Sequence, residues 1–183
     1  MNRVTNYFNT PLLKVPLLAG LTTGVLAFLY FLALYALGVY PLGNHKSLDF
    51  GIHIIMMIAA VWYYRKYVGN GYLHLWEALG ICYILNTVAA MVTGWLIYFF
   101  VTQVDPSVFQ EYLANSRQLL LNGQADISKT LGADQFENLL KDVRNTKPTD
   151  LIVDELWKKT ALAVLPVLII SLLFRRQDYN VLR

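Results

Sequence analysis

The chain has 183 residues, of which 56% are hydrophobic and 15% charged, with a formal net charge of +3 and a mean hydropathy of +0.44. An ordinary soluble domain is about 45–50% apolar, so this composition indicates a membrane protein with room for one membrane domain. The small net charge and the lack of a basic aromatic motif argue against a nucleic-acid-binding protein. Cys82 is the only cysteine, which excludes an internal disulfide.

Four long apolar segments dominate the sequence. They cover residues 15–39, 48–64, 74–101 and 156–174. At about 1.5 Å per residue, a helix of such a length crosses or nearly crosses a hydrocarbon core of about 30 Å. Lipid cannot satisfy backbone N–H and C=O groups, so these segments must be helices. We therefore expect an all-α integral membrane protein with four transmembrane helices, folded as a single membrane domain over residues 1–183.

The first span carries a stripe of small residues on one helix face: Gly20, Thr23, Gly24 and Ala27. The spacing of the two glycines allows two helix backbones to approach closely. A second small face in the third span surrounds an amide, and its members are Cys82, Asn86, Ala89, Ala90 and Thr93. These faces predict helix packing. A direct contact between spans one and three and a self-association surface are equally compatible with them.

Polar residues inside the spans are the candidates for chemistry, since an intramembrane acid is a functional hypothesis by default. We expect Glu77 to be the only carboxylate within a span, one turn from His74. It is either a boundary carboxylate paired with a neighbouring base or a proton-handling or substrate-contacting group. His53 lies near the opposite membrane face, so it cannot share a metal with His74 and Glu77. No catalytic set, cofactor site or metal site is predicted.

The connection between spans three and four, residues 102–155, is predicted to form an amphipathic helical hairpin. Its helices cover about 106–122 and a segment from Ala133 to just before Asn145, with residues 122–130 as the turn. Apolar residues at helical spacing are expected to make the two stripes face each other and to bind a partner: Phe109, Tyr112, Leu113, Phe136 and Leu140. Residues 149–157 are expected to resume a helix that continues into span four.

The distribution of lysine and arginine predicts the orientation, because cytoplasmic loops are enriched in these residues. If the spans alternate, one side of the membrane collects most of the bases: Arg3, Lys14, Arg65, Lys66, Arg175, Arg176 and Arg183. The loop 40–47 on the other side carries only Lys46 among strong bases. Both termini are therefore expected in the cytoplasm and the hairpin outside it. Lys158 and Lys159 count against this, but long side chains can extend to the interface.

Several short motifs resemble a known family. They are Tyr64-Arg65-Lys66, the turn Val68-Gly69-Asn70-Gly71, the segment Leu73–Gly80 and the ending Leu165–Arg176. In their order across four spans they are similar to the DUF4199 family, an uncharacterised family of small membrane proteins typical of Bacteroidota. The resemblance implies a bacterial inner membrane location and a charged helical loop before the last span. It implies no established activity.

Three classes of function remain. The favoured one is a non-enzymatic accessory or scaffold subunit, which binds a larger membrane protein, or a second copy of itself, through helix packing and the external hairpin. The alternative is a small oligomeric transporter or channel in which Glu77, His74 and Asn86 line one path, although Asn86 and Glu77 fall on opposite helix faces. An intramembrane enzyme is the third class, and only His74 with Glu77 could serve it.

Overall fold

The computed structural model describes residues 10–176, which are almost entirely helical. Its elements in chain order are α1 Pro11–Ala36, a short 3₁₀ helix Asn44–Asp49, α2 Phe50–Tyr67, α3 Leu75–Phe99, α4 Ser107–Asn122, α5 Gln124–Leu131, α6 Ala133–Asn145 and α7 Asp150–Phe174. A π turn, Phe100–Val104, extends α3. Within the described range, four segments are long and apolar enough to cross a membrane, namely α1, the 3₁₀ helix with α2, α3 with its π turn, and α7. This is the architecture of a multi-pass membrane protein.

The predicted helices agree with the structure except in the loop. Residues 122–130, predicted as a turn, form the short helix α5. Asp126 in its first turn and Lys129 in its last suit the helix dipole, which stabilises anions at the N-terminus and cations at the C-terminus. The left-handed Gly132, at φ 92°, makes the turn into α6. The fourth span begins at Asp150, so the expected continuous helix is present.

The bundle is built around α3, which packs against α1, α2 and α7. Gly20 and Gly24 are buried and bring α1 onto α3; a Cβ atom at Gly24 would lie 2.6 Å from the Cβ of Val92. The hydroxyl of Thr93 donates to the Gly24 carbonyl oxygen at 3.2 Å. Of the two arrangements open from the sequence, the structure therefore contains the direct contact between spans one and three. Thr23, Ala27, Asn86 and Ala90 are also buried.

One end of the bundle collects basic residues, and we call it the basic end. The backbones of Leu73 and Arg176 exchange two hydrogen bonds of 2.9 Å, and the Arg65 guanidinium donates to the Phe174 carbonyl oxygen at 3.4 Å. Lys14 lies in the first turns of α1, which also begins at this end. Arg3 and Arg183 lie outside the described residues. The strict alternation of the four long helices places the hairpin α4–α6 at the other end, the hairpin end.

At the hairpin end, α4 packs on the bundle through an apolar cluster: Phe31, Ile97, Phe100, Val101, Val108, Phe109 and Leu151. Tyr112 and Leu113 pack against the same cluster, Phe136 is buried, and Leu140 is half-buried. The two amphipathic helices are in contact, since α4 packs against α6, whereas the apolar stripe of α4 packs mainly on the bundle and does not simply face that of α6. These side chains are therefore turned into the protein, and the structure does not leave Phe109 and Phe136 free for a partner.

Candidate functional site

A group of polar side chains lies inside the bundle toward the hairpin end, and we call it the charge cluster. Its members come from the 3₁₀ helix, α2, α3 and α7: Lys46, Asp49, His53, Asn86, Glu155 and Lys159. The side chain of Lys46 is 12% exposed, and those of Asp49, Lys159 and Glu155 are 1%, 5% and 9% exposed. His53 and Asn86 are fully buried. A polar cluster of this size in a membrane bundle is a functional-site candidate.

The four charges of the cluster pair across helices. The Lys159 ammonium forms an ion pair with Asp49 and lies 3.5 Å from Oε1 of Glu155. The Lys46 ammonium forms an ion pair with Glu155 and lies 3.8 Å from Oδ2 of Asp49. Two ammonium groups thus balance two carboxylates, so the formal charge of the cluster is zero. The positive and negative charges must balance here, because an unpaired charge in a low-dielectric interior lowers the stability of the folded protein by several kcal/mol.

His53 and Asn86 extend the cluster toward the centre of the bundle. The Asn86 amide nitrogen donates to the Lys159 carbonyl oxygen at 3.3 Å, so its Oδ1 is left to accept from Nδ1 of His53 at 3.0 Å. The other ring nitrogen, Nε2, lies 3.4 Å from the Lys159 ammonium. Since an ammonium only donates, Nε2 is the acceptor, and this network assigns the neutral Nδ1–H tautomer to His53.

The cluster forms a polar column along the helix axes. At about 1.5 Å per residue, Glu155 lies about 29 Å along α7 from Phe174 and Lys159 lies about 22 Å from it. At the same rise, His53 lies about 21 Å from the basic end of α2, and Asn86 lies about 17 Å from the basic end of α3. In a hydrocarbon core of about 30 Å, the column would run from one interface to about the midplane. Beyond the column, toward the basic end, the core is mainly apolar. Its members include Met57, Val61, Ala78, Ile81, Cys82, Val167 and Ile170, with Ser171 as a buried hydroxyl.

A pocket of about 350 Å³ adjoins the charge cluster between the 3₁₀ helix, α7 and α4. Lys46, Asp49, Glu155 and Lys159 line its inner wall. Asp154, Lys158 and Ser47 add further polar groups, and apolar side chains such as Phe50 line much of the remainder. It therefore combines an apolar lining with a few convergent polar groups, as small-molecule sites do.

Of the residues singled out for chemistry in the sequence, Asn86 belongs to the charge cluster, whereas Glu77 and His74 lie elsewhere. Glu77 and His74 form a capping box at the start of α3, in which the Glu77 carboxylate accepts the His74 backbone N–H at 2.9 Å. His74 is exposed and Glu77 is half-buried. About 13 Å of helix and apolar core separate Glu77 from Asn86, so the structure does not bring Glu77, His74 and Asn86 into one path. Glu77 has the local structural role of a helix cap.

The prediction that Glu77 is the only carboxylate within a span is wrong. Asp49 lies in the helical segment Asn44–Tyr67 and Glu155 in α7. The sequence does contain a pattern that indicates both carboxylates. Lys46, Asp49 and His53 recur at helical spacing, and Glu155 and Lys159 are one turn apart, so each set lies on one helix face. The sequence predicts Lys159 to be an interfacial base that reaches toward water, whereas the residue is 4% exposed and its ammonium lies inside the bundle.

Within residues 10–176, no group of three or more His, Cys, Asp or Glu side chains could hold a metal ion. Cys82 is a free, buried thiol. What the charge cluster offers instead is a balanced set of donors and acceptors beside a pocket, which suits the binding of a polar or charged group.

Comparison with known proteins gives one positive finding. No curated protein and no solved structure matches the chain. The model of a family described as "Protein of unknown function (DUF4199)" matches residues 18–176, which include all four long helices and the hairpin almost in full. The resemblance drawn from the short motifs is thereby confirmed, and the chain belongs to the DUF4199 family.

Proposed function

We propose that the protein is a non-enzymatic accessory or scaffold subunit of a larger complex in the bacterial cytoplasmic membrane. The observation that carries this proposal is a set of exposed leucines on the hairpin. Leu119, Leu121 and Leu131 are 72%, 39% and 56% exposed, and they lie outside the four membrane-length segments. Exposed apolar side chains on an extramembrane segment are candidates for a protein–protein contact.

The exposed leucines replace the surface expected from the sequence. Phe109, Tyr112 and Leu113 pack against the bundle, so the apolar stripe holds the hairpin in place. Leu119 and Leu121 in the last turn of α4, with Leu131 at the end of α5, remain for a partner. A hairpin that packs on the bundle and exposes leucines next to its turn suits a subunit that docks on another membrane protein.

The proposed orientation places both termini in the cytoplasm and the hairpin outside. Basic residues at the basic end support it. The bases at the hairpin end that counted against it have carboxylate partners: Lys158 forms a 2.6 Å ion pair with Asp154, and Lys46 and Lys159 belong to the charge cluster. Lys46 and Lys159 thus form ion pairs inside the bundle and do not belong to a basic loop.

Thiol labelling tests the orientation. Cys82 is changed to Ala, and single cysteines are placed at Gln124 in the hairpin and at Tyr72 at the basic end. An impermeant thiol reagent applied to intact spheroplasts should label Gln124→Cys and not Tyr72→Cys, whereas both should react after lysis. Labelling at position 72 alone would invert the orientation.

Affinity purification in mild detergent tests the subunit proposal. The wild-type protein should retain a larger membrane protein at a fixed stoichiometry. The double variant Leu119→Ser/Leu131→Ser should lose it, while Glu137→Ser on the exposed face of α6 should not. A lone monomer from the wild type, or unchanged retention by the double variant, would contradict the proposal.

A small oligomeric transporter or channel is the second candidate, and the charge cluster is the observation that favours it. Its polar column ends near the middle of the bundle, so a complete path would have to form between copies of the chain. A homo-oligomer in native membranes, with solute flux in proteoliposomes that depends on Lys159, would favour this function over the subunit proposal.

A further inference from the structure

The pocket beside the charge cluster opens toward the surface that lipid would cover. Trp157 and Leu162 line it and are 74% and 53% exposed, and Ala161 between them is also an exposed lining residue. All three lie on the membrane-length helix α7. Exposed apolar residues on such a helix face lipid, and tryptophan prefers the interface between hydrocarbon and headgroups. An amphiphile could therefore reach the pocket sideways, from within the membrane.

Among the described residues, the buried side-chain atoms of the pocket wall that lack a hydrogen-bond partner are both acceptors. The ammonium groups of Lys46, Lys158 and Lys159 each have a carboxylate partner. In contrast, Oδ2 of Asp49 and Oε1 of Glu155 are buried and accept no hydrogen bond from any part of the chain that the structure describes. Their nearest cations, at 3.8 Å and 3.5 Å, make ion pairs and lie beyond hydrogen-bond length. Buried acceptors of this kind are normally satisfied, so the site suits a ligand that brings N–H donors.

The balance of charges in the pocket wall indicates the net charge of the ligand. The pocket is lined by three lysines and three carboxylates: Lys46, Lys158, Lys159, Asp49, Asp154 and Glu155. Their formal charges cancel, so a ligand of zero net charge enters without leaving an unbalanced charge in a low-dielectric site. A primary ammonium supplies three N–H donors, whereas a trimethylammonium supplies none.

We propose that this pocket binds the headgroup of a zwitterionic membrane lipid with a primary ammonium, the chemistry of phosphatidylethanolamine. The ammonium lies against Glu155 and Asp49, and Lys46, the most exposed of the four cluster charges, is the side chain that moves to admit it. The headgroup phosphate lies toward the pocket mouth, where Lys158 is 61% exposed. The acyl chains follow the apolar surface of α7 past Leu162. The pocket volume of about 350 Å³ is near the lower limit for small-ligand sites, which suits a headgroup with its chains outside.

Lipid retention in purified protein tests the proposal. The full chain in mild detergent is mixed with phosphatidylethanolamine, phosphatidylcholine or phosphatidylglycerol, and binding is read by native mass spectrometry and by the shift in Tm. We expect a one-to-one adduct and a raised Tm with phosphatidylethanolamine, at an affinity at least tenfold above that of the other two lipids. Glycerophosphoethanolamine, which has the headgroup and no chains, should compete with the lipid. Lipid retention that an excess of glycerophosphoethanolamine does not reduce would contradict headgroup recognition.

Two variants separate binding from folding. Glu155→Gln removes a charge that the ligand needs and should lower affinity at least tenfold, although it also disturbs the buried ion pairs. Ala161→Phe fills the pocket mouth at an exposed position without touching those pairs, and it should lower affinity as much while Tm without lipid is unchanged. Ala59→Phe, at an exposed alanine of α2, is the matched control and should bind as the wild type does. Equal binding of phosphatidylcholine, preference for phosphatidylglycerol, or full binding by Ala161→Phe would overturn the proposal.

Discussion

Nδ1 of His53 lies 3.0 Å from the side-chain oxygen of Asn86, and both side chains are fully buried between α2 and α3. The pair joins the apolar core of the basic end to the charge cluster. Because the Asn86 nitrogen is held by the Lys159 carbonyl, the amide cannot turn without losing a second bond. The orientation of His53 therefore depends on α3 and α7 together.

Replacing Asn86 by Leu should destabilise the protein by about 1–2 kcal/mol. The apolar side chain leaves the Nδ1–H of His53 without an acceptor in a buried site, and hydrogen bonds between membrane helices are worth on the order of 1 kcal/mol. Reversible unfolding in mixed detergent measures this loss. Thr87→Leu, at the neighbouring exposed position, is the control and should change stability little. Equal stability of Asn86→Leu and the wild type would mean that the amide contributes nothing.

Replacing Lys159 by Met should cost about 3–5 kcal/mol, because Asp49 and Glu155 then keep their charges in the interior with only Lys46 to balance them. Lys158→Met is a matched control on the same helix: its ion pair with Asp154 is exposed, so about 0–1 kcal/mol is expected. Adding Asp49→Asn to Lys159→Met should restore part of the stability by restoring charge balance. A double variant whose loss is the sum of the two single losses would show that the charges are not coupled.

Gly24→Ala should lower the unfolding free energy by about 1–3 kcal/mol through overpacking. The new Cβ would meet the Val92 side chain at 2.6 Å and the Ala89 carbonyl oxygen at 2.9 Å, so α1 would have to move away from α3. Gly24→Ile should be worse. Gly80→Ala, where a Cβ meets nothing within 4 Å, should be neutral or stabilising, since alanine favours helix. Equal Tm values for the variants at positions 24 and 80 would refute the close contact.

Glu77→Gln should change stability by about 0–1 kcal/mol and leave partner retention intact. Glutamine can still accept the His74 backbone N–H through its amide oxygen, and the site is half-exposed. Glu77→Ala, which removes the acceptor, should cost more. A correctly folded Glu77→Gln protein that fails to complement a deletion strain would show that the charge itself is required and would favour the transport function.

Stability should decrease as the pH falls into the acidic range because of Asp105. The Ser107 hydroxyl, the Tyr35 hydroxyl and the Ser107 backbone N–H donate to this carboxylate and hold its pKa below the ordinary 3.8. The charged form is thus favoured by folding, so its contribution is complete above the ordinary pKa and is lost as pH falls through the lower, folded-state pKa. Tm measured from pH 6 to pH 3 should fall less steeply for Asp105→Asn than for wild type. Asp134→Asn, on the surface of α6, should follow the wild type.

The amino-acid sequence by itself determines the class of this protein and the position of its helices. Long apolar segments and amphipathic repeats are local properties, because a helix must form wherever lipid leaves the backbone without water. The same holds for α4 and α6, which were predicted within a few residues. The short helix α5 was missed because the glycine and polar residues of 122–130 are as common in turns as in helix ends.

Only the tertiary structure decided where the charges go. Asp49 and Lys159 are 110 residues apart in the chain, and each alone is an ordinary charged residue near the end of an apolar segment. They meet because α3 packs against both α2 and α7, which brings the hairpin-end halves of α2 and α7 face to face. A charge near a helix end can turn to water or to a partner, and the difference is set by what the neighbouring helix presents. The periodicity of a segment identifies the polar face of its own helix. Which face of another helix packs against it depends on the tertiary structure, and no single segment carries that information.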